Sequence, residues 1–505
     1  MPTLLILIAA LIPYAPTLLN GFAGDDEYIV ATNPVVTEGD LAGAVTSPYW
    51  PAAYTAGTLY RPLTIVSFAV EWRIWGGSPL GFHLTNLGLH AVVSLLILTL
   101  LLALSTPLAA ATLAAMIFAV HPVHVEAVAQ VVGRSELLAG AFYLTACLVY
   151  LRDRALWTVP LLFFLGLASK EIAVTLPLAL VLLEAARGCG ESSSEGSLPS
   201  LIERLRKKTA LFIGLAVAFA AYMAARFRIT GGLVGETPAA EFFGMSGLQR
   251  VMTALSAWLD YVRLLFYPAD LSSDYSPAVR FPALGLDRPG MVGGLIFIAV
   301  LASMVVLWKR GRLASVGLAW FGLVILPVSN LLIPTGTILA ERTLYLPSVG
   351  LALLIAAAAV RPLREHPRTA IAIGSLLLVA LSARTVVRTQ DWKDSATMMA
   401  ALERDHPESV QVVRAHARDA MSQGRWDEAA KRFELALHLS PHHYTGLTEA
   451  ALFYEVAGHP DRAKELLARA IEVSPDTPHA HRILARVNQA PPRPSRLSPP
   501  SPSQQ

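Results

Sequence analysis

The stretch LGLHAVVSLLILTLLLAL, residues 87–104, contains no acidic side chain, no lysine and no arginine. It is long enough to cross a bilayer as a helix. Of the 505 residues in the chain, 54% are hydrophobic and only 15% are charged, and the mean hydropathy is positive. A soluble protein carries about 25% charged residues. Because the charges are also segregated between apolar runs, the sequence predicts an all-α protein that crosses the membrane many times.

About eleven apolar segments are predicted to span the membrane. They lie near residues 3–19, 87–104, 108–120, 137–151, 156–168, 172–186, 210–225, 291–308, 313–331, 344–360 and 370–383. A further segment, 251–267, is apolar but amphipathic and carries Asp260 and Arg263. It is therefore predicted to lie at the membrane interface or to re-enter the membrane without crossing it.

The basic residues predict the orientation of these segments. If the N-terminus is cytoplasmic and 251–267 does not cross, four basic clusters all fall inside, as the positive-inside rule requires. These clusters are Arg152 and Arg154, residues 204–208, Lys309 with Arg310 and Arg312, and residues 361–368. The C-terminus then lies outside. So do the polar loops, residues 20–81, 121–136, 169–171, 227–250, 268–289 and 332–343.

A repeat follows the last predicted span. GRWDEA (424–429) aligns with GHPDRA (458–463), and Ser440-Pro441 aligns with Ser474-Pro475, at an offset of 34 residues. This is the period of the tetratricopeptide repeat. The sequence predicts a multi-span membrane domain at 1–385, a short repeat domain at 386–490 that includes a capping helix near 478–487, and a disordered Pro/Ser-rich tail at 491–505.

Several other classes of protein are disfavoured. The net charge of +3 is too small to indicate nucleic-acid binding. Cys147 and Cys189 have no partner motif, so neither a disulfide framework nor a zinc site is expected. The chain has no P-loop, no Gly-x-Ser-x-Gly and no dinucleotide fingerprint. The first segment lacks a basic start and a clear cleavage site and is predicted to remain as a span.

Three consecutive acids, Asp25, Asp26 and Glu27, follow the first span. Ionised groups at that position indicate a functional site, although a solvated loop that only ends the helix is the alternative. Arg61 lies near the end of the same loop, where its guanidinium could hold a phosphate or anchor the chain at the interface beside Tyr60.

Two groups of polar residues accompany predicted spans. His83, Asn86 and His90 share one helix face, which either lines a polar cavity or forms hydrogen bonds between helices. His121, His124 and Glu126 lie in HPVHVE (121–126). A polar or phosphate-facing wall is favoured there over a metal site, because the spacing is not that of a zinc protease.

Acid–base pairs recur at the outer starts of helices. They are Arg134 with Glu136, Lys170 with Glu171, and Glu341 with Arg342. Each pair alone is typical of a satisfied ion pair. Several pairs on one face, together with Asp25 and Asp26, indicate a site for an anionic lipid headgroup.

Taken together, these motifs resemble a known family. FAGDD (22–26), YRPLT (60–64), GFHLTN (81–86), FAVHPVHVEAV (118–128) and VGRSELL (132–138) occur in the family's order. SKE (169–171), LSSDYS (271–276), ERTLYLPS (341–348) and RTQDW (388–392) continue it. The chain resembles the transmembrane and tetratricopeptide-repeat-containing proteins, which are O-mannosyltransferases of the GT-C glycosyltransferase fold. The repeat array is short for this family.

The resemblance implies a reaction. A polyprenyl-phosphate sugar, mannose in the known members, reacts at the outer membrane face with a Ser or Thr hydroxyl of an acceptor protein. Asp25 resembles the general base, with Asp26 as its neighbour, and displacement from one face inverts the anomeric centre. Arg134, Lys170 and Arg342 are the first candidates to face the leaving phosphate, and Arg61 and the histidines are weaker ones. No cofactor is required, and nothing supports a divalent metal.

Two alternatives come from other classes of protein. A transporter or flippase would show inverted internal repeats and charges near mid-membrane, and the sequence shows neither pattern. A non-catalytic anchor for a repeat scaffold would not need so many ionisable groups on one face. The repeats are expected to present or bind the acceptor, or to serve as a general interaction module. The absence of Asn-x-Ser/Thr favours a bacterial plasma membrane over the endoplasmic reticulum.

Overall fold

The computed structural model describes residues 1–51, 59–187, 198–233, 239–310, 312–475, 477–489 and 494–498, without the side chains of 198, 307–310 and 312. The described residues are predominantly helical and contain no strand, which confirms the all-α prediction. Cys189, the side chains of the basic cluster 309–312 and most of the tail 491–505 lie outside the described part.

In the described residues, seventeen α-helices precede the repeats. They are α1 Pro2–Leu11, α2 Pro34–Thr37, α3 Leu41–Thr46, α4 Pro62–Trp75, α5 Pro79–Ala103, α6 Leu108–Val120, α7 Val125–Ala129, α8 Arg134–Leu151, α9 Thr158–Ser169, α10 Leu176–Arg187, α11 Leu198–Lys207, α12 Thr209–Thr230, α13 Gly247–Phe266, α14 Arg288–Arg310, α15 Arg312–Ile325, α16 Val349–Glu365 and α17 Pro367–Gln390.

Several of these helices are suited to a membrane. Among the described residues, five are long and apolar enough to cross one: Pro79–Ala103, Val131–Leu151, Thr209–Thr230, Arg288–Val306 and Pro367–Gln390. A sixth is added if α6 and residues Pro122–Ala129, bent by 48° at Pro122, form one broken span. The chain is thus a multi-pass membrane protein, while the number of about eleven crossings stays a prediction. Helix α13 is not among the candidate spans.

Prolines account for two departures from the predicted segments. The segment 3–19 divides into α1 and a 3₁₀ turn, Ala15–Leu19, because Pro13 and Pro16 interrupt the helical hydrogen bonds. The sequence analysis treated residues 60–75 as loop. The structure forms α4 there, with Pro62 at its first position, where the missing N–H costs nothing.

The membrane-domain core joins helices distant in the chain. Its largest cluster of buried hydrophobic residues includes side chains from α5, α6, α8, α9, α10, α15 and α16. Gly317 of α15 faces Gly350 of α16 so closely that a Cβ on Gly350 would lie 2.4 Å from the Gly317 carbonyl oxygen. Small residues at such crossings let helices approach closely in a membrane.

The described part of the repeat region contains six helices, and the last five of them share a core of their own. They are α18 Ser395–Asp405, α19 Val410–Ser422, α20 Trp426–Leu439, α21 Tyr444–Val456, α22 Pro460–Val473 and α23 Pro478–Gln489. The buried alanines Ala429 and Ala463 occupy equivalent positions one period apart, and each is fully buried. The predicted helix pairs and the final capping helix are therefore present. The domain boundary proposed at 385/386 falls inside α17.

Candidate active site

The acidic loop turns sharply before its two aspartates. Gly24 has a left-handed backbone conformation (φ +58°), and a Cβ there would lie 3.1 Å from the Met398 methyl carbon and 3.3 Å from Gln130 Nε2. Only glycine combines this conformation with the available space. The glycine of the FAGDD motif therefore fixes where Asp25 and Asp26 point.

Asp26 is fully buried and fastens the loop to the start of α8. Its Oδ1 accepts a hydrogen bond from the Val132 N–H (2.8 Å), and its Oδ2 accepts from the N–H groups of Val131 (3.1 Å) and Ala23 (3.2 Å). Burial raises the pKa of Asp26 to about 7, against the effect of these three donors. Both of its oxygens are already engaged within the protein.

Asp25 differs from its neighbour in being accessible. Its side chain is 36% exposed, and its Oδ2 lies 3.8 Å from Nη1 of Arg342. Burial of the remaining surface raises the pKa of Asp25, the Arg342 guanidinium opposes this rise, and the Glu126 carboxylate adds to it. A carboxylate with a raised pKa and an open side can accept a proton from a bound hydroxyl.

Arg342 is held by the HPVHVE motif. Glu126, whose side chain is only 4% exposed, accepts from the Arg342 side chain (Nη1, 2.7 Å) and from its backbone N–H (2.8 Å). Although burial opposes its charge, the carboxylates of Glu126 and Asp25 keep the pKa of Arg342 above its usual value. Arg342 is thus a fixed cation between a buried acid and an accessible one.

Two further ion pairs adjoin this arrangement. Lys170 Nζ contacts the fully buried Glu136. The guanidinium of Arg61 engages Glu171 through Nε (3.0 Å) and Nη2 (2.8 Å). Although burial opposes ionisation, the Arg61 charge holds the pKa of Glu171 below its usual value. Lys170 is close enough to Arg61 and Arg342 for both cations to lower its pKa, in addition to the larger effect of burial.

These residues form one group, which we call the outer cluster. It is defined as Asp25, Arg61, Glu126, Glu136, Lys170, Glu171 and Arg342. Its members come from four of the loops predicted to lie outside, so the fold brings together motifs far apart in the sequence. Tyr49 also borders it, with its ring 4.8 Å from the Arg61 guanidinium carbon.

Arg134 is placed away from the accessible part of the outer cluster. It is fully buried, with Nε donating to Asn86 Oδ1 (2.9 Å), Nη2 to the Phe82 carbonyl (2.8 Å) and Nη1 paired with Glu71 (2.6 Å). Asn86 in turn donates to the Gln130 and Val131 carbonyls (3.1 and 3.2 Å). This placement favours a role for Arg134 and Asn86 in joining helices and disfavours contact with a substrate phosphate.

The four motif histidines are also buried between helices. Each ring bonds a backbone carbonyl: His83 that of Gly21 (3.1 Å), His90 that of Ala119 (2.9 Å), His121 that of Leu265 (3.0 Å) and His124 that of Phe118 (3.0 Å). Among the described residues, no group of three or more His, Cys, Asp or Glu side chains is arranged to hold a metal ion. For His83 and His90, the bonds to backbone carbonyls favour the helix-packing interpretation over a polar cavity.

Glu341 faces away from its neighbour Arg342. It is fully buried, and its Oε1 accepts from the Ser272 N–H (2.6 Å) and the Tyr275 hydroxyl (2.8 Å). Burial raises its pKa to about 7, although the nearby Arg388 lowers it. Glu341, next to Arg342 in the chain, therefore anchors the loop 271–276.

Several partners of these residues lie outside the sequence motifs. Glu71 lies in α4 beyond its YRPLT motif, and Arg226, 3.7 Å from Glu171, lies in α12, which carries no motif. Tyr49 lies in the predicted first loop without a pattern around it. A charged side chain inside an otherwise apolar segment was the available signal for Glu71 and Arg226.

Comparisons with known proteins find matches to the repeat region and to most of the chain. Two tetratricopeptide-repeat family models match residues 381–441 and 420–487. The protein O-mannosyl-transferase F38B6.6 of Caenorhabditis elegans is 28% identical over 450 residues, covering 87% of this chain and 63% of the relative. Human protein O-mannosyl-transferase TMTC3 is 24% identical over 466 residues (85% and 50%), and human TMTC1 is 27% identical over 501 residues (87% and 55%).

The chain thus spans between half and two thirds of the length of these relatives. No solved structure matches it. The predicted resemblance to the transmembrane and tetratricopeptide-repeat-containing proteins is confirmed over most of the chain, while the GT-C assignment stays a prediction.

Proposed function

We propose that this TMTC-like multi-pass membrane protein is a glycosyltransferase. In this proposal it moves a sugar, mannose by analogy with the names of its relatives, from a polyprenyl-phosphate donor to a Ser or Thr hydroxyl of an acceptor protein. The observation that carries the proposal is Asp25, the accessible carboxylate beside a fixed arginine in a chain similar to O-mannosyl-transferases.

Asp25 is the proposed general base. It takes the proton of the acceptor hydroxyl as the hydroxyl oxygen bonds to the anomeric carbon. The bond from that carbon to the phosphate oxygen breaks, and the phosphate leaves with the electron pair. Because the acceptor attacks opposite the leaving group, the anomeric centre is inverted.

Cations of the outer cluster stabilise the leaving phosphate in this proposal. Arg342, Lys170 and Arg61 converge near Asp25, and preorganised charges stabilise the negative charge that develops in a transition state. Glu126 and Glu171 hold two of these cations in place. Asp26 has both oxygens engaged by backbone N–H groups, so its proposed role is to position Asp25. The reaction as proposed requires no metal or nucleotide.

The proposed orientation places the outer cluster on the non-cytoplasmic face. The segments 152–154 and 204–208 meet at the other end of α8, where Lys208 pairs with Asp153 (2.8 Å) and Arg204 pairs with Glu184 of α10 (3.0 Å). Separation of these basic residues from the outer cluster agrees with a cytoplasmic N-terminus. We propose a bacterial plasma membrane, or the endoplasmic reticulum if the source is eukaryotic, and a repeat region that binds the acceptor.

The test uses the purified full chain, a panel of radiolabelled polyprenyl-phosphate sugars and a Ser/Thr-rich peptide. We expect Asp25→Asn to lower sugar transfer by about 10²–10⁴-fold, the usual contribution of general acid–base catalysis. Asp40→Asn is the matched control, because Asp40 lies in the same loop, is exposed and only caps a helix through its side chain.

Two results would count against the proposal. Transfer by Asp25→Asn at the wild-type rate would remove the assignment of the base. Failure of the wild-type chain to use any donor in the panel, with either the peptide or co-purified proteins as acceptor, would remove the glycosyltransferase function.

A further inference from the structure

The loop that carries Asp25 is held from two sides. On one side, Asp26 bonds the start of α8, and Gln130 Nε2 donates to the Ala23 carbonyl (3.3 Å). On the other side, the loop contacts the chain that leads into the repeats. Asn20 Nδ2 donates to the Trp392 carbonyl (3.0 Å), and the Gly21 N–H donates to the Lys393 carbonyl (2.8 Å).

The Ser395 hydroxyl bridges the residues on both sides of Asp25. It accepts from the Gly24 N–H (2.9 Å) and donates to Glu27 Oε1. One hydroxyl therefore fixes the chain immediately before Asp25 and two residues after it. This contact also gives Glu27, the third acid of the motif, a defined role in holding the loop.

Ser395 is itself held in a fixed position. It is the first residue of α18, whose N-terminus is capped by the Asp394 side chain accepting from the Thr397 N–H (2.7 Å). Trp392 just before α18 is buried in the main membrane-domain core, and Met398 of α18 packs against that core. The start of α18 is thus part of the membrane domain, although a tetratricopeptide-repeat model covers it.

A second contact joins the start of the repeats to the loop 271–276. Ser409, at the start of α19, donates to Asp274 Oδ2 (2.8 Å). Asp274 belongs to the loop 271–276, which is anchored through Ser272 and Tyr275 to Glu341, the neighbour of Arg342. The first two repeat helices therefore contact both the loop of the proposed base and the loop behind the proposed phosphate-binding arginine.

From these contacts we infer that Ser395 is a positioning residue for Asp25, and that the first repeat helix belongs to the catalytic framework as well as to the acceptor-binding region. The inference rests on the proposed function. Its physical basis is that a displacement of about 1 Å in a catalytic group can cost 10²-fold in rate. Loss of the Ser395 hydroxyl releases Gly24 and Glu27 on either side of Asp25 and removes no side chain of the outer cluster itself.

The test compares variants of the full chain with a polyprenyl-phosphate [³H]mannose donor and a Ser/Thr-rich peptide. We expect Ser395→Ala to lower kcat by about 10–100-fold, with the donor KM within about twofold of wild type, since the donor-binding cations are unchanged. Ser395→Thr keeps the hydroxyl and should recover most of the rate. Ser422→Ala is the matched control, because Ser422 is exposed and bonds only within its own helix.

A double-mutant cycle shows whether Ser395 acts through Glu27. Glu27→Ala should lower kcat by no more than Ser395→Ala, which also removes the bond from the Gly24 N–H, and the double variant should be little worse than Ser395→Ala, because the Ser395–Glu27 contact is already lost in either single variant. If Ser395→Ala proves unstable, the comparison of Glu27→Ala with Glu27→Gln, which retains an acceptor oxygen for the Ser395 hydroxyl, carries the test.

The outcomes separate the inference from the proposed function. Wild-type activity in Ser395→Ala, fully additive losses in the cycle, or an equal loss in Ser422→Ala would each overturn the inference. Asp25→Asn is measured in parallel. If Asp25→Asn is inactive and Ser395→Ala is fully active, only the inference fails, whereas an active Asp25→Asn removes the assignment of the base on which the inference rests.

Discussion

The outer cluster and the repeat region contain the same types of ion pair in different surroundings. In the outer cluster, the Glu136 side chain is 0% exposed and that of its partner Lys170 is 7% exposed. In the repeats, Arg462 contacts Glu434 at 3.0 Å and Glu465 at 2.7 Å, with exposed fractions of 32%, 46% and 54%. Distances alone do not distinguish the two groups.

The two groups of ion pairs differ in whether water can solvate their charges. Water solvates the Arg462 network, so loss of one partner leaves the others hydrated. Glu136 is closed to water, and Lys170 is its direct ion-pair partner. A charged side chain in this protein is therefore informative about the site when it is both buried and paired, and Asp25 is distinctive because it is paired and still open on one side.

The largest expected effect on stability comes from breaking the buried pair. Lys170→Met keeps the approximate length of the side chain but leaves Glu136 buried without its ion-pair partner. We expect the free energy of unfolding to fall by about 3–5 kcal/mol, as for other buried pairs that lose one partner. Thermal unfolding of the purified protein measures this, and Lys170→Met/Glu136→Gln should recover part of the loss. An unchanged melting temperature in Lys170→Met would contradict the distinction between buried and exposed ion pairs.

Arg342→Gln is expected to act mainly on the reaction. Loss of a preorganised charge typically costs about 10²–10³-fold in rate. Because Arg342 lowers the pKa of Asp25, its removal raises that pKa further, and less of the base is ionised at any given pH. The acid limb of the pH profile of kcat/KM should therefore move to higher pH, with Arg342→Lys in between. An acid limb that stays in place or moves to lower pH would contradict the pairing of Asp25 with Arg342.

The smallest effect is expected in the repeats. Arg462→Ala removes an exposed network and should lower the free energy of unfolding by less than about 1 kcal/mol, with transfer to the peptide unchanged. Thermal unfolding and the transfer assay check both parts. A loss of stability as large as that of Lys170→Met would show that exposure does not separate the two groups of ion pairs.

The sequence predicts several residues of the site but does not distinguish them from residues that only join helices. Asp25, Glu126 and Arg342 were singled out by their motifs, and the fold brings them together. The motifs predict that Arg134, like Lys170 and Arg342, faces the leaving phosphate. In the structure, Arg134 is enclosed by Glu71, Asn86 and the Phe82 carbonyl. A motif records which residue types occur together but not whether their polar atoms face a substrate or a neighbouring helix.

The sequence places the repeat region after the membrane domain and predicts that it binds the acceptor or serves as a general interaction module. In the structure, the first repeat helix contacts the loop of the proposed base. We therefore expect deletion from residue 390 onward to lower donor turnover as well as acceptor use. Deletion of the later helices alone, which have a separate core, should lower acceptor use more than donor turnover.

The sequence by itself determined the all-helical membrane character, the 34-residue repeat and the acidic motif, because hydropathy, periodicity and motif order are properties of neighbouring residues. Only the tertiary structure decided that Asp26 is enclosed while Asp25 stays open, that Glu126 holds Arg342 and that Ser395 holds Glu27. Those last two contacts join residues 216 and 368 positions apart. Which of the many ionisable groups meet, and which of them water can reach, depends on how the helices pack, and no local pattern encodes that packing.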